Sequence, residues 1–474
     1  MAIKLFNTMS RSLEALHPQH DKKVSLYTCG PTVYDYAQIG NWATYIRWDT
    51  LVRTLRASGY DVNWVMNITD VGHLVSDADE GEDKLEKGAR REGKTAWDVA
   101  AFYTQDFLEG MAQLAIQKPT HIVKATETID DQISFVKKLE AKGFTYSIDD
   151  GVYFDTNKFP PYGKLARLKP EALRAGARVS FNEQKRNATD FAVWKFSPKG
   201  EQRDMEWDSP WGKGFPGWHL ECSVMAMKYL GETLDIHAGG IDFIPVHHTN
   251  EIAQSEAVTG KPFANIWLHG NFITVDGVKL SKSLGNSYTL HDIEARGYES
   301  LALRLLFLQS HYRTEANFTW EGLDAASKRL ADLRAMADLQ WQIVETTEAP
   351  AAQVDFADVQ AQLLAQLQYD LNTPQALSIL SAVEAQLTVG LVHHSQKTVF
   401  MSFLKYIDEL FGLNLLATSR DLNDAQKKLL AEREKARHKK DYALSDKLRD
   451  ELQQQGIILR DTPQGPVWSR TQGG

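Results

Sequence analysis

Residues 23–29, KVSLYTC, are rich in β-formers and stop at the turn Gly30-Pro31. Beyond the turn, Ile39, Trp42, Tyr45, Ile46, Leu51, Val52 and Leu55 recur at helical spacing, and Gly59 closes the segment. A second β-rich run, DVNWVMNIT at 61–69, and a second amphipathic stretch at 93–116 repeat that order. Strand, helix and strand joined by short connections predict a parallel sheet covered by helices. Ligands of such sheets bind beyond the carboxyl ends of the strands, and Cys29 stands at one of those ends.

The pattern changes after residue 125. DGVYFDT (150–156), the turn KFPPYGKL and the charged loop NEQKRNATD read as a smaller mixed segment with β content. FPGWHLECSVMAMKYLG (215–231) then restores a helix, LDIHAGGIDF (234–243) a strand and HHTNEIAQSEAVTG (247–260) another helix. The sheet therefore resumes, and the intervening segment splits one nucleotide-binding domain. After 312 the periodicity is helical over 321–345, 357–390 and 395–413, with TTEAPAAQ (346–353) as a linker. A last helix is expected over 424–455, followed by a hairpin-like tail at 456–470. The expected class is α/β, led by a split Rossmann-type parallel-sheet catalytic domain (1–125 and 206–312). A small mixed connective insertion (126–205) interrupts it, and a helical domain (313–418) and a small C-terminal α+β domain (419–474) follow.

The chain has two cysteines, too few for a disulfide framework and in keeping with a reducing compartment. Cys222 lies in WHLECS, and about 25 residues on His247 and Glu251 stand four apart, one turn of one helical face. Two thiolates, an imidazole and a carboxylate suit zinc. The same residues also read as two small buried hydrophobes and a core histidine, because the cysteines lack metal-knuckle spacing, and His248 rivals His247 as a ligand. Two further stretches carry nucleotide chemistry. A glycine at a helix start, in AQIGN, lets a base or phosphate approach the backbone. In DGVKLSKSLGN (276–286), Lys279 and Lys282 flank Ser281 and can close on a triphosphate. Taken alone, that loop also reads as a solvated turn.

Together these residues resemble a class I aminoacyl-tRNA synthetase, and in detail the cysteinyl-tRNA synthetases. Gln38-Ile39-Gly40-Asn41 matches the family's His-Ile-Gly-His signature or a close variant of it. Lys279-Leu280-Ser281-Lys282-Ser283 matches its Lys-Met-Ser-Lys-Ser. CGPTVYD, NITDV, PGWHLECS, DIHAGGIDF and HYR stand in the family's order, so the resemblance covers nearly the whole chain. It implies one zinc ion on Cys29, Cys222, His247 and Glu251 that selects the thiolate of L-cysteine, with ATP and Mg²⁺ as the activating pair. It assigns Lys282, helped by Lys279, to the leaving phosphates. Gln38, Gly40, Asn41, His237 and Ser281 are placed around ATP, and Gly30, Thr69, Trp218 and Asp242 about the amino acid's backbone or amine. One departure is notable: Gln38 replaces the first signature histidine, and an amide can donate a hydrogen bond but cannot become cationic. A slower or differently tuned adenylation step is expected.

The implied macromolecular partner is tRNA(Cys). The net charge is −9, so nucleic acid must bind a local basic surface, and 427–449 supplies nine Lys/Arg against four Asp/Glu. Trp468 in the tail is a candidate for stacking on an unpaired base. No run of about 18 apolar residues occurs, and the start of the chain lacks a basic-then-apolar leader, so a cytoplasmic protein without membrane contact is expected, and the resemblance implies a monomer. Two readings compete: a cysteine:amino-sugar ligase with the same catalytic core, and a non-catalytic paralogue that only binds tRNA. The long extension past the HYR segment argues against the first, and Gln38 is what favours the second.

Overall fold

The computed structural model describes residues 2–72, 84–167, 183–198, 200, 203–281, 285–343, 354–390, 392–393, 396–462 and 465–471. The chain divides into two compact units, one of Met1–Asp292 with Tyr312–Asn317 and one of Ile293–His311 with Phe318–Gly474.

The first unit opens with the hairpin β1 (Lys4–Asn7) and β2 (Ser12–Ala15), then β3 (Lys23–Thr28), α1 (Ile39–Ala57) and β4 (Asp61–Ile68). Next come α2 (Lys84–Glu92), α3 (Ala96–Gln113), β5 (His121–Lys124) and α4 (Ile129–Ala141). A four-stranded antiparallel sheet follows, built from β6 (Thr145–Ile148), β7 (Gly151–Phe154), β8 (Phe191–Phe196) and β9 (Gly214–Pro216) in that spatial order. The chain then returns through α5 (Trp218–Leu230), β10 (Leu234–Gly240), α6 (His247–Thr259) and β11 (Ala264–Gly270). β12 (Ile273–Val275), β13 (Val278–Lys279) and β14 (Ala316–Phe318) make a small sheet beyond it.

The main sheet is wholly parallel, in the order β11-β10-β3-β4-β5. From β3 the chain winds outward through β4 and β5, and after the antiparallel sheet it winds the other way through β10 and β11. β3 and β10 therefore flank a topological switch point, where connections leave in opposite directions and open a crevice at the strand ends. Being covered on both faces, the strands carry near-continuous apolar runs, and all seven residues of β10 are buried. Val65, Val123, Phe154, Trp194, Leu220 and Trp267 join one core that spans the parallel and antiparallel sheets.

The second unit is helical: α7 (Ser300–Leu308), α8 (Trp320–Asp338), α9 (Phe356–Gln368), α10 (Thr373–Gly390) and α11 (Lys397–Phe411). The apolar stretch 357–390 is two helices, because Asp370 and Leu371 take left-handed backbone ahead of Pro374. The single helix expected over 424–455 is likewise two, α12 (Asp424–His438) and α13 (Tyr442–Gln454). Lys440 turns left-handed, and Asp441 restarts the chain as an N-cap, its side chain accepting from the Leu444 amide. The hairpin β15 (Ile457–Thr462) and β16 (Gly465–Arg470) ends the chain. Trp468 is buried with Leu452, Ile457 and Leu459 in the core under this hairpin, so it packs the fold and is not presented for base stacking. The linker 346–353 lies outside the described residues.

Candidate metal centre and adjoining cavities

Four donors converge at the switch point. Cys29 follows the last residue of β3, Cys222 sits one turn into α5, and His247 and Glu251 lie on the first turns of α6. Their ligand atoms all fall within 4.8 Å of one another, and every one of the four residues is buried. Glu251 Oε1 is 3.0 Å from His247 Nε2, and Oε2 is 2.8 Å from His237 Nε2. Neither contact is well aligned, so both oxygens of a fully buried glutamate lack a directed hydrogen-bond donor. Such a group is costly unless a cation compensates it.

The titration behaviour points the same way. Burial pushes the Cys29 thiol well up, whereas Cys222, hydrogen-bonded to Cys29 and facing His247, is held below its usual range. Burial pulls His247 down, but the charges of Glu251 and Cys222 outweigh it and raise the imidazole to about 10. Burial also opposes the charge of Glu251, yet His237 and His247 hold its carboxyl well below the normal range. In the protein alone a proton thus balances the negative donors, the part a soft divalent cation plays. Two thiols, one imidazole and one carboxylate in a closed set fit zinc.

Further histidines surround the four. His219 Nδ1 lies 2.9 Å from His247 Nδ1 and so fixes which ring nitrogen faces Glu251. His248 Nε2 is 3.3 Å from Cys29 Sγ, and a chain runs on through His269 to Thr8 at 2.8 Å and 2.7 Å. Cys29, His237 and His248 also form a three-donor cluster, so His248 shares this site without joining the four-donor set. His219 was legible as the residue three before Cys222 on one helical face. No spacing in the sequence announces His269.

A cavity of 330 Å³ opens from Cys29 and is lined by Gly30, Gln38, Asn41, Trp218, Gly240 and Asp242 among others. A second, of 210 Å³, shares Gln38, Asn41, Gly240 and Asp242 with it and adds Gly40, Gly270, Phe272 and Lys279. Gln38 stands at the N-cap of α1 with extended backbone, and its backbone N–H donates to the Asn41 side-chain Oδ1 at 3.0 Å. Gly30 is obligatory, since a Cβ there would meet the Asn67 carbonyl oxygen at 1.8 Å. Trp218 stacks near His247, with ring centroids 4.6 Å apart, and so joins the cavity wall to the donor cluster. Thr69 is buried behind the cavity, its hydroxyl 3.3 Å from Glu221. His237, expected near ATP, is fully buried against Trp267 and Glu251 and lines neither of these two cavities; its strand position turns it toward the metal cluster. The Ser281 backbone amide donates to the Asn286 side chain at 2.8 Å; Lys282 lies outside the described residues.

The family described as tRNA synthetases class I (C) catalytic domain matches residues 15–328, and the cysteinyl-tRNA ligase anticodon binding domain matches 419–468. The cysteine–tRNA ligase 1 of Burkholderia lata is 46% identical over 470 residues, covering 98% of this chain and 96% of that protein. The chain belongs to the cysteinyl-tRNA synthetase family. The cysteine–tRNA ligase of Treponema denticola, another member, is 42% identical over 497 residues, covering 99% of this chain and all of its own. By fold, the chain is similar to Mycobacterium tuberculosis methionyl-tRNA synthetase in complex with methionyl-adenylate. The TM-score is 0.57 at 13% identity, over 83% of this chain and 92% of that one. A synthetase of this family also needs an RNA-facing surface. The basic stretch 427–449 is partly engaged within the protein: Arg433 and Arg437 pair with Asp461, and Lys427 with Asp421.

Proposed function

We propose that this enzyme activates L-cysteine with Mg²⁺-ATP and transfers the cysteinyl group to the 3′ end of tRNA(Cys). The observation that carries this reading is the closed set of Cys29, Cys222, His247 and Glu251 at the head of the 330 Å³ cavity. Those four residues would hold a zinc ion, which supplies a soft Lewis acid that favours a thiolate over a hydroxyl. Trp218 and Asp242 line the space beside it and are assigned to the substrate ammonium, with Gly30 in the same lining, and Thr69 buried behind it, assigned to the substrate backbone. Gln38, Gly40 and Asn41 at the start of α1 are assigned to the ATP phosphates or ribose, and Lys279, Ser281 and Lys282 to the leaving phosphates. The cysteine carboxylate attacks the α-phosphorus, and pyrophosphate leaves. The terminal tRNA hydroxyl then attacks the cysteinyl-adenylate, and AMP leaves. No side-chain nucleophile is required, so catalysis rests on positioning and electrostatics.

The sequence bounds are assigned accordingly: 1–125 and 206–312 to catalysis, 126–205 to the connective insertion, 313–418 to the tRNA stem and 419–474 to the anticodon. The enzyme is proposed to act as a cytoplasmic monomer; no helix among the described residues is long and apolar enough to cross a membrane. ATP–pyrophosphate exchange dependent on cysteine, followed by charging of bulk tRNA with the acceptor identified, tests this reading. Exchange without charging would favour an amino-sugar acceptor, and absence of exchange would leave only a binding protein.

A further inference from the structure

Helix α1 carries two buried arginines that the fold treats differently. Arg53 is neutralised in the ordinary way, its Nε 2.6 Å from the Asp49 carboxylate and its Nη2 donating to the Ala115 carbonyl at 2.5 Å. Arg47 is 5% exposed, and among the described residues no carboxylate pairs with it. Among the described residues its side chain makes one hydrogen bond, from Nη1 to the Asn271 carbonyl at 2.5 Å, and Nε and Nη2 are buried with no partner there. Burial lowers its pKa to about 10, which still leaves it cationic at neutral pH.

The position of this charge is informative. Thr44, one turn earlier on the same helix, lines the 210 Å³ cavity, as do Gly270 and Asn271. The guanidinium lies directly behind that backbone: a Cβ at Gly270 would meet Arg47 Nη1 at 3.1 Å and Cδ at 3.3 Å. The Asn271 peptide is held from its other side too, its amide donating to the Tyr312 carbonyl at 2.8 Å and its side chain to the Arg313 carbonyl at 3.0 Å. Asn271 Oδ1 in turn accepts from the Phe272 amide at 2.8 Å. One wall of the cavity, 270–272, is thus fixed through Asn271, and Arg47 holds its carbonyl from α1. A buried cation with spare donors is tolerated where a polyanion completes the charge balance.

We propose that Arg47 is a positioning residue for the nucleotide: it pins the Gly270–Phe272 wall and sets an unneutralised positive charge behind the cavity that takes ATP. This rests on the assignment of that cavity to ATP made above. The test uses the full chain and ATP–pyrophosphate exchange. Arg47→Met keeps the stem and removes charge and donors; Arg47→Lys keeps the charge. The Met variant raises KM for ATP about tenfold, the loss expected for one charge-assisted hydrogen bond, with KM for cysteine within about twofold of the parent. The Lys variant falls between the two. An unchanged KM for ATP overturns the proposal, as does an equal rise for ATP and cysteine, which marks general disruption. If Arg47→Met does not fold, the Lys variant decides alone by the same split between the two KM values. A parent enzyme without any exchange overturns the ATP assignment itself, a result distinct from normal parental exchange with indifferent variants.

Discussion

Replacing Cys222 by alanine probes how the enzyme tells cysteine from serine. Cys222 is 2% exposed and supplies one of four donors that lie within 4.8 Å of one another. Zinc held by four protein ligands is bound with about 10–16 kcal/mol at neutral pH, or roughly 3 kcal/mol per ligand. Loss of one thiolate therefore weakens the metal about 100-fold. The void left by one sulfur is small, so folding stability falls by only about 1 kcal/mol. A metal-free pocket walled by Trp218 and Phe243 must separate thiol from hydroxyl by shape and polarity alone. Such near-isosteres differ there by about 1–3 kcal/mol, or roughly 10–200-fold. The assay is ATP–pyrophosphate exchange with cysteine and with serine, run beside zinc content by plasma mass spectrometry. The variant should be zinc-poor, and its preference for cysteine should fall into that lower range. A zinc-free variant that rejects serine as strongly as the parent would refute the reasoning, because the metal would then have no part in selection.

Three other outcomes are expected. His219→Ala removes the partner of His247 Nδ1 and should weaken zinc binding about 10–100-fold, measured by competition with a chromophoric chelator. Gln38→His restores a group that can carry charge at the phosphate end of α1 and should raise the exchange rate about tenfold, with KM for cysteine unchanged; a slower variant would show that the glutamine is adapted to this site. In the C-terminal hairpin, hydrogen bonds from Arg433, supported by Arg437, hold the Asp461 carboxyl below the ordinary range. A depressed carboxylate stabilises the fold fully above its unfolded value of about 4 and loses that effect as pH falls through the folded value. Amide protection factors in β15 and β16, taken relative to the intrinsic exchange rate at each pH, should accordingly be steady between about pH 5 and 8 and fall below about pH 4.

The chain's local chemistry was legible wherever a single element carries it. His247 and Glu251 share one face because they are four apart on a helix, and the strand–turn–helix rhythm of 23–59 needs only side-chain size and polarity to be read. The break at 439–441 was also written locally, in Asp441 capping Leu444, but the apolar periodicity on either side masked it. What could not be read from spacing is that Cys29 and Cys222, 193 positions apart by their numbering, meet. Their approach depends on β10 inserting beside β3, a choice made by long-range burial of two sheet faces. The same holds for His237, whose strand alternation permitted either face until pairing with Tyr27 and Trp267 fixed it toward Glu251. Residue order thus determined the elements and the family to which the chain belongs. Only the packed sheet decided which distant side chains would share one buried, charge-balanced site, because that meeting is driven by nonlocal burial and has no imprint on neighbouring residues.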